Sequence, residues 1–257
     1  GYGEARDAAE KALELDPSSA EPHLALGMVA IFADWDAKTA EEHLTEAVQL
    51  GPGHVDAHYV LSMFNMVRGN HDAAVAHGQI AVELDPLSLP VLGQLGGCLA
   101  LRGDLEEGLV VLDRALEIDP TFRGAHEWKG WIHLENEEYE EALTSFREFA
   151  RLSPNRYAGA SSFGVVYARM GDTDRAREQL NRLKDRERVE PGTNLHQDFA
   201  ALLMAIGDVD GALERLEQAV DAHLGSLVFL KSSSLWDSAA DHPRFQAILD
   251  RIGFWAS

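Results

Sequence analysis

The chain of 257 residues has little of three things: cysteine, long apolar runs and positive charge. Its single cysteine, Cys98, excludes an internal disulfide and suits a reducing compartment. No stretch approaches about eighteen consecutive apolar residues, so the sequence predicts no membrane-spanning helix. Residues 1–7 lack the basic start and apolar core of an export signal. We therefore expect a cytoplasmic protein.

Basic residues are scarce, with 22 Lys and Arg against 43 Asp and Glu and a formal net charge of −21. Nucleic-acid backbones are bound by clusters of Lys and Arg that release counterions. The densest basic stretch, residues 184–188, alternates basic with acidic side chains and forms no such cluster. The charge therefore argues against nucleic acid as a partner of this segment.

What the sequence does contain is a repeat. A three-residue motif ending in proline recurs along the chain. Its prolines lie at positions 17, 52, 86, 120, 154 and 191, which are 35, 34, 34, 34 and 37 residues apart. A glycine recurs within the units at positions 69, 103, 171 and 207, and a small residue follows five positions later each time. In the unit that turns at Glu137-Glu138, Ala142 takes that small place. This pattern predicts pairs of antiparallel helices that turn at the glycine, pack closely at the small residue and end before the proline.

A helix–turn–helix period of 34 residues resembles the tetratricopeptide repeat (TPR). The resemblance implies an all-α, right-handed superhelical solenoid of antiparallel helix hairpins, each covering its neighbour's apolar face. We predict a half repeat at 1–17, then repeats at about 18–52, 53–86, 87–120, 121–154, 155–191 and 192–223, and a capping tail at 224–257. Because the half repeat lacks its first helix, we expect this chain to be excised from a longer one whose natural N-terminus lies upstream; a solitary cap helix at 1–16 is the alternative.

The C-terminal residues depart from the repeat. Residues 241–254 predict a short helix whose apolar face would cover the open end of the stack. The chain resembles the C-terminal TPR regions of bacterial multidomain signalling proteins in three pieces: Asp34-Trp35-Asp36, Leu84-Asp85-Pro86-Leu87-Ser88, and an ending made of Leu227-Val228-Phe229-Leu230-Lys231 and His242-Pro243-Arg244-Phe245-Gln246. Those proteins carry winged-helix, adenylate/guanylate cyclase or Ser/Thr kinase domains in front. The resemblance implies a scaffolding or sensory arm of a larger bacterial regulator.

In the TPR family the first helices of the hairpins line a concave groove that usually binds peptides, so the resemblance implies a partner site there. Methionine and aromatic side chains in the groove suit capture of a protein segment. The predicted groove residues are Met28, Phe32, Tyr59, Met63, Met66, Gly93, Gly97, Glu127, Trp131, Arg169 and Gln197. The alternative for several of them is packing between neighbouring hairpins. Arg169 is their only basic member, which argues against recognition of a C-terminal carboxylate.

Residues with catalytic or metal chemistry are present but poorly placed. His54, Asp56 and His58 would need a further metal ligand, and the position of His54 predicts helix capping instead. The serines at 232–234 with Asp237 and His242 lack a nucleophile elbow and oxyanion donors. We predict no enzyme, no cofactor and no metal, with a protein or peptide as the partner. Self-association into a homo-oligomer and service as an accessory subunit of an enzyme remain as alternatives.

Overall fold

The protein is all-α. The computed structural model describes residues 1–255, which contain no strand and no helix both long and apolar enough to cross a bilayer. The α-helices are α1 (Tyr2–Leu15), α2 (Ala20–Val29), α3 (Ala37–Leu50), α4 (Val55–Val67), α5 (His71–Leu84), α6 (Leu89–Arg102), α7 (Leu105–Ile118), α8 (Arg123–Glu135), α9 (Tyr139–Arg151), α10 (Ala160–Arg169), α11 (Thr173–Val189), α12 (His196–Ala205), α13 (Val209–Asp221) and α14 (Pro243–Ile252). A π-helix at Ala30–Asp34 extends α2, and 3₁₀ helices span Gly225–Ser232 and Ser234–Ala239. The predicted fold class is confirmed.

The chain divides into two compact units. Unit 1 comprises residues 1–118, 223–232 and those from 249 onward, and unit 2 comprises 119–222 and 233–248. In unit 1 the hairpins are α2/α3, α4/α5 and α6/α7, with α1 packed on α2; in unit 2 they are α8/α9, α10/α11 and α12/α13. Among the first helices within each unit, α2 contacts α4, α4 contacts α6 and α10 contacts α12. We call the side they form in each unit the first-helix face.

Each hairpin turns at a residue in the left-handed conformation. The six positions are Trp35, Gly69, Gly103, Glu137, Gly171 and Gly207, with φ between +55° and +101°. Glycine adopts this conformation freely, whereas other residues pay about 1–2 kcal/mol. Trp35 and Glu137 therefore hold the turn against their own preference, because the packing of the two helices fixes it.

Close helix contact within the hairpins explains their small residues. The five predicted small residues of second helices are buried, at Ala74, Gly108, Ala142, Ala176 and Ala212, and Ala40 in α3 is buried as well. Glycines on first helices meet large side chains on second helices: a Cβ at Gly96 would lie 2.6 Å from Leu112, and one at Gly130 would lie 2.5 Å from Phe146. In the α4/α5 hairpin two small residues meet instead, Ser62 on the first helix and Gly78 on the second. A glycine therefore faces a large side chain in the α6/α7 and α8/α9 hairpins, whereas α4 and α5 meet at this contact through small residues.

The start of α10 differs from the prediction. The repeat predicts a helix from residue 155, but α10 begins at Ala160. Asn155 Oδ1 accepts a hydrogen bond from the Tyr157 backbone N–H at 2.9 Å, and the Tyr157 hydroxyl donates to Asp185 on α11 at 2.6 Å. Gly159 then has a φ of +76°. This irregular segment leaves a recess beside α8 and α12.

The tail, residues 223–255, follows two paths. Arg244 at the start of α14 donates to Glu217 on α13 at 3.0 Å, as a cap over the last hairpin would. Residues 225–232, however, pack on α4 and the π-helix within unit 1. Leu227 and Val228 have no accessible surface there. Residues 225–232 of the predicted capping tail therefore complete the core of unit 1.

Candidate functional site

The tail covers part of the first-helix face of unit 1. The Phe229 ring stacks on that of Phe32 with 6.3 Å between centroids. The Trp255 indole Nε1 donates to the Val67 carbonyl oxygen at 2.9 Å. Phe254 has no accessible surface and adds its ring to the same face. The chain's own residues therefore occupy a surface whose composition predicts capture of another chain.

Four predicted groove residues are buried in the packing of unit 1, namely Met63, Met66, Gly93 and Gly97. The Met66 sulfur accepts a hydrogen bond from the Gln94 amide at 3.5 Å, so contact between α4 and α6 uses this side chain. These four positions therefore have little surface available to a partner. Tyr59 is half-buried, and burial raises the pKa of its hydroxyl. Met28 remains 38% exposed on α2.

Three predicted residues meet in unit 2. Glu127 and Trp131 on α8 and Gln197 on α12 line one pocket of about 400 Å³. Ser161 and Ser162 on α10 form another wall, and the irregular residues 153–159 contribute to the rim. We call it the Glu127 pocket; its further lining residues are Arg123, Phe149 and Asp198. The first-helix face of unit 2 therefore carries an open recess with both aromatic and charged walls.

Two carboxyl groups share the Glu127 pocket. Burial raises the pKa of Glu127, and the nearby charge of Asp198 raises it further, against the lowering effect of Arg123. Burial also raises the pKa of Asp198, against a hydrogen bond from Ser161 and the charge of Arg186. Removal from water disfavours the charged form of a carboxyl group. Both carboxyl groups therefore have less contact with water than an exposed carboxylate has.

Arg123 does not neutralise this pair directly. Its guanidinium lies 4.5 Å from the centroid of the Phe149 ring. Its buried Nε has no hydrogen-bond partner among residues 1–255. Phe149 stands where other repeats carry a small alanine, such as Ala115, and the larger ring supports the guanidinium. Arg123 thus contributes positive charge to the pocket from a position fixed by a ring contact.

The sequence prediction missed Asp198, Arg123 and Phe149 as site residues. A signal for Asp198 existed in the repeat spacing. Ser161 follows Glu127 by one period of 34, and Asp198 follows Ser161 by 37, the distance between the prolines at 154 and 191. The longer repeat therefore places Asp198, rather than Gln197, in register with Glu127.

Arg169 lies apart from the Glu127 pocket. It is exposed at the end of α10, beside a second cavity of about 400 Å³ whose lining includes Glu135, Met204 and Leu235. The tail forms one wall, where the Ser234 hydroxyl donates to Glu135 at 2.7 Å. The tail therefore contacts one end of this face and does not line the Glu127 pocket.

The histidines considered for a metal have structural partners. His54 caps α4, with its Nδ1 accepting from the Ala57 backbone N–H at 3.4 Å. His58 donates from Nε2 to the Pro52 carbonyl oxygen at 3.2 Å, and its Nδ1 faces that of His77 at 3.1 Å. Within residues 1–255, no three His, Cys, Asp or Glu side chains gather as metal ligands. The capping predicted for His54 is confirmed.

Comparison with known families identifies the repeat. One tetratricopeptide-repeat model matches residues 36–88 and 102–157, and a second matches residues 163–187, together just over half of the chain. Among solved structures, a thermophilic TPR protein of Thermus thermophilus superimposes with a TM-score of 0.61 and 23% identity, covering 72% of this chain and 100% of that one. This likeness concerns the fold alone.

Two curated relatives are larger proteins. Anaphase-promoting complex subunit 3 of Schizosaccharomyces pombe is 26% identical over 202 residues, covering 78% of this chain and 29% of that protein. The transcriptional regulator HilA of Salmonella typhimurium is 27% identical over 125 residues, covering 48% of this chain and 23% of HilA. The chain therefore spans less than a third of the length of either relative.

Proposed function

The chain belongs to the tetratricopeptide-repeat family, and we propose on that premise that it holds a peptide segment of a partner protein in the Glu127 pocket. The observation that carries the proposal is the convergence of Glu127, Trp131 and Gln197, from two first helices, on an open recess. In unit 1, by contrast, the tail occupies part of the first-helix face. We propose a scaffold without catalytic activity.

Trp131 supplies the apolar contact that such a site needs. Its ring packs edge-on against Phe146, with 5.1 Å between centroids, while another part of the side chain lines the pocket. Tryptophan is among the residues that contribute most to binding energy at protein interfaces, because a rigid ring buries a large area at little entropic cost. A partner side chain entering the recess would therefore meet a fixed aromatic wall.

The setting of the module is also part of the proposal. Similarity to a transcriptional regulator over 23% of that protein's length favours one arm of a larger bacterial regulatory protein, working in the cytoplasm. The absence of a basic cluster favours a protein partner over nucleic acid for this segment.

An array of random twelve-residue peptides, probed with the chain, tests the function. We expect a reproducible subset of peptides to be captured. Ser161→Trp, which fills the recess without removing a core residue, should abolish capture, while Met28→Ala on the exposed face of α2 should leave it unchanged. Circular dichroism of both variants should match that of the parent. Capture that survives Ser161→Trp, or no peptide captured at all, would refute the proposal.

A further inference from the structure

We propose that the Glu127 pocket recognises a basic side chain, Arg or Lys, presented by the partner peptide. The inference rests on the proposed function and names the chemistry of its partner. Glu127 on α8 and Asp198 on α12 place two carboxyl groups on the same recess, with the Trp131 ring beside them. A positively charged side chain is the group that two carboxylates and an aromatic wall bind together.

The charge of the pocket is incompletely balanced by the protein itself. No ion pair or hydrogen bond joins Arg123 to Glu127 in the part of the chain that the structure describes, because the guanidinium lies over Phe149. The pKa of Glu127 is raised by burial despite that nearby cation. A cation entering the pocket would supply the direct partner that Glu127 lacks and lower the pKa of both carboxyl groups.

The shape of the pocket suits a long side chain. About 400 Å³ exceeds what one water or metal ion needs. The methylene stem of Arg or Lys would lie against Trp131 while its head group reaches the carboxylates, as amphipathic side chains do at protein surfaces. Ser161 lines the same pocket as Asp198 and lowers the pKa of its carboxyl group, which favours the charged form that a cation needs.

The charge of the whole chain acts in the same direction. A formal net charge of −21 attracts basic peptides and repels acidic ones before contact. A peptide's C-terminal carboxylate would meet two carboxyl groups in this pocket and be rejected. The charge complementarity therefore favours a basic segment over an acidic one.

A pair of matched probes tests the inference directly. Nα-acetyl-arginine amide and Nα-acetyl-citrulline amide have nearly the same shape, but only the first is charged. In an NMR titration of the full chain, we expect arginine amide to shift the Trp131 indole N–H and the backbone amides of Ser161 and Gln197. Citrulline amide should bind at least about tenfold more weakly. Equal affinity for the two probes, or shifts elsewhere only, would overturn the inference.

Charge-neutral variants identify the carboxyl groups responsible. Glu127→Gln and Asp198→Asn should each lower the affinity for arginine amide about tenfold, a loss of about 1.4 kcal/mol. Glu135→Gln is the matched control, because Glu135 lies two turns along the same helix and lines the other cavity. An equal loss in the control variant would show a general charge effect and contradict a specific site.

The peptide array separates this inference from the proposed function. Captured peptides should be enriched in Arg and Lys, and the enrichment should disappear in the Glu127→Gln variant. Capture without basic enrichment would overturn the inference and leave the function standing. Absence of all capture would refute the function, whatever the arginine probe does.

Discussion

Gly130 offers a test of the close contacts inside the hairpins. A Cβ at this position would lie 2.5 Å from the Phe146 ring, well inside the sum of the carbon radii. Phe146 has no accessible surface, and the rings of Trp131 and Phe163 pack edge-on against it with centroids at 5.1 and 6.5 Å. The Phe146 ring therefore has no free space to move into. We expect Gly130→Ala to destabilise the protein.

The size of the effect follows from two opposing contributions. Replacing glycine by alanine in a helix interior stabilises by about 0.8–1.0 kcal/mol. Adding a methyl group to a filled core costs about 1–3 kcal/mol through displaced side chains and backbone. Because Phe146 is enclosed by two other rings, the steric cost exceeds the helical gain. We expect a net loss of about 1–2 kcal/mol.

Urea unfolding followed by circular dichroism measures this loss. Gly3→Ala is the control, because a Cβ at Gly3 meets nothing within 4 Å and α1 should be unchanged or slightly stabilised. The double variant Gly130→Ala/Phe146→Leu should recover part of the loss, with a coupling energy of about 0.5–3 kcal/mol between the two sites. If Gly130→Ala proves as stable as the parent, or if the cycle shows no coupling, the proposed clash is wrong.

Three further predictions concern pH, the tail and the pocket. Burial lowers the pKa of His43 and of His77, and the charge of the facing imidazole (His23 and His58) lowers each further. The unfolded chain therefore binds more protons, and the thermal midpoint should fall as pH drops through about 6.5; a midpoint constant between pH 7.5 and 5.5 would contradict this. Leu227→Ala should cost about 2–5 kcal/mol in urea unfolding, since the side chain has no accessible surface; a loss below about 1 kcal/mol would show that the tail is loosely held. Arginine amide affinity should fall on acidification, because burial raises the pKa of Glu127 and Asp198 and protonation removes their charge; affinity that is independent of pH from 7.5 to 4.5 would exclude those carboxylates.

The hairpins were predictable because their determinants are local and periodic. The mid-repeat glycines mark the end of the first helix in four hairpins, and the same turn forms at Trp35 and Glu137 without a glycine. In the α10/α11 and α12/α13 hairpins the acidic residue after the turn caps the second helix: Asp172 Oδ1 accepts from the Arg175 backbone N–H, and Asp208 Oδ1 from that of Gly211, both at 3.0 Å. These interactions lie within a few residues of one another, so a single sequence reveals them.

The features that the prediction missed depend on distant contacts. The late start of α10 follows from the bond between Tyr157 and Asp185, which are 28 residues apart. The path of the tail depends on contacts such as that between Trp255 and Val67, separated by 188 residues. Neither pair belongs to the periodic pattern, so the repeat carries no information about it.

Prediction of the site was partial for a related reason. The repeat register locates positions on first helices, and two of the positions that it selects, Glu127 and Trp131, line the pocket in unit 2. Whether such a position is accessible to a partner depends on how the tail and the irregular segment before α10 pack, and the repeat register does not specify that packing. Met63 and Met66 are apolar residues at the expected positions, yet they are buried in unit 1.

Unit 1 combines segments that lie far apart in the chain, and this has a consequence while the protein is being synthesised. Its core includes Leu227 and Val228, which leave the ribosome only after residues 119–222 have been made. At about 5–20 residues per second, that interval lasts about 5–20 s. During this time the rings of Phe32 and Phe64 lack the aromatic neighbours that cover them in the finished protein. The nascent N-terminal hairpins would then present an apolar surface to chaperones, and a chain cut short before the tail would keep it.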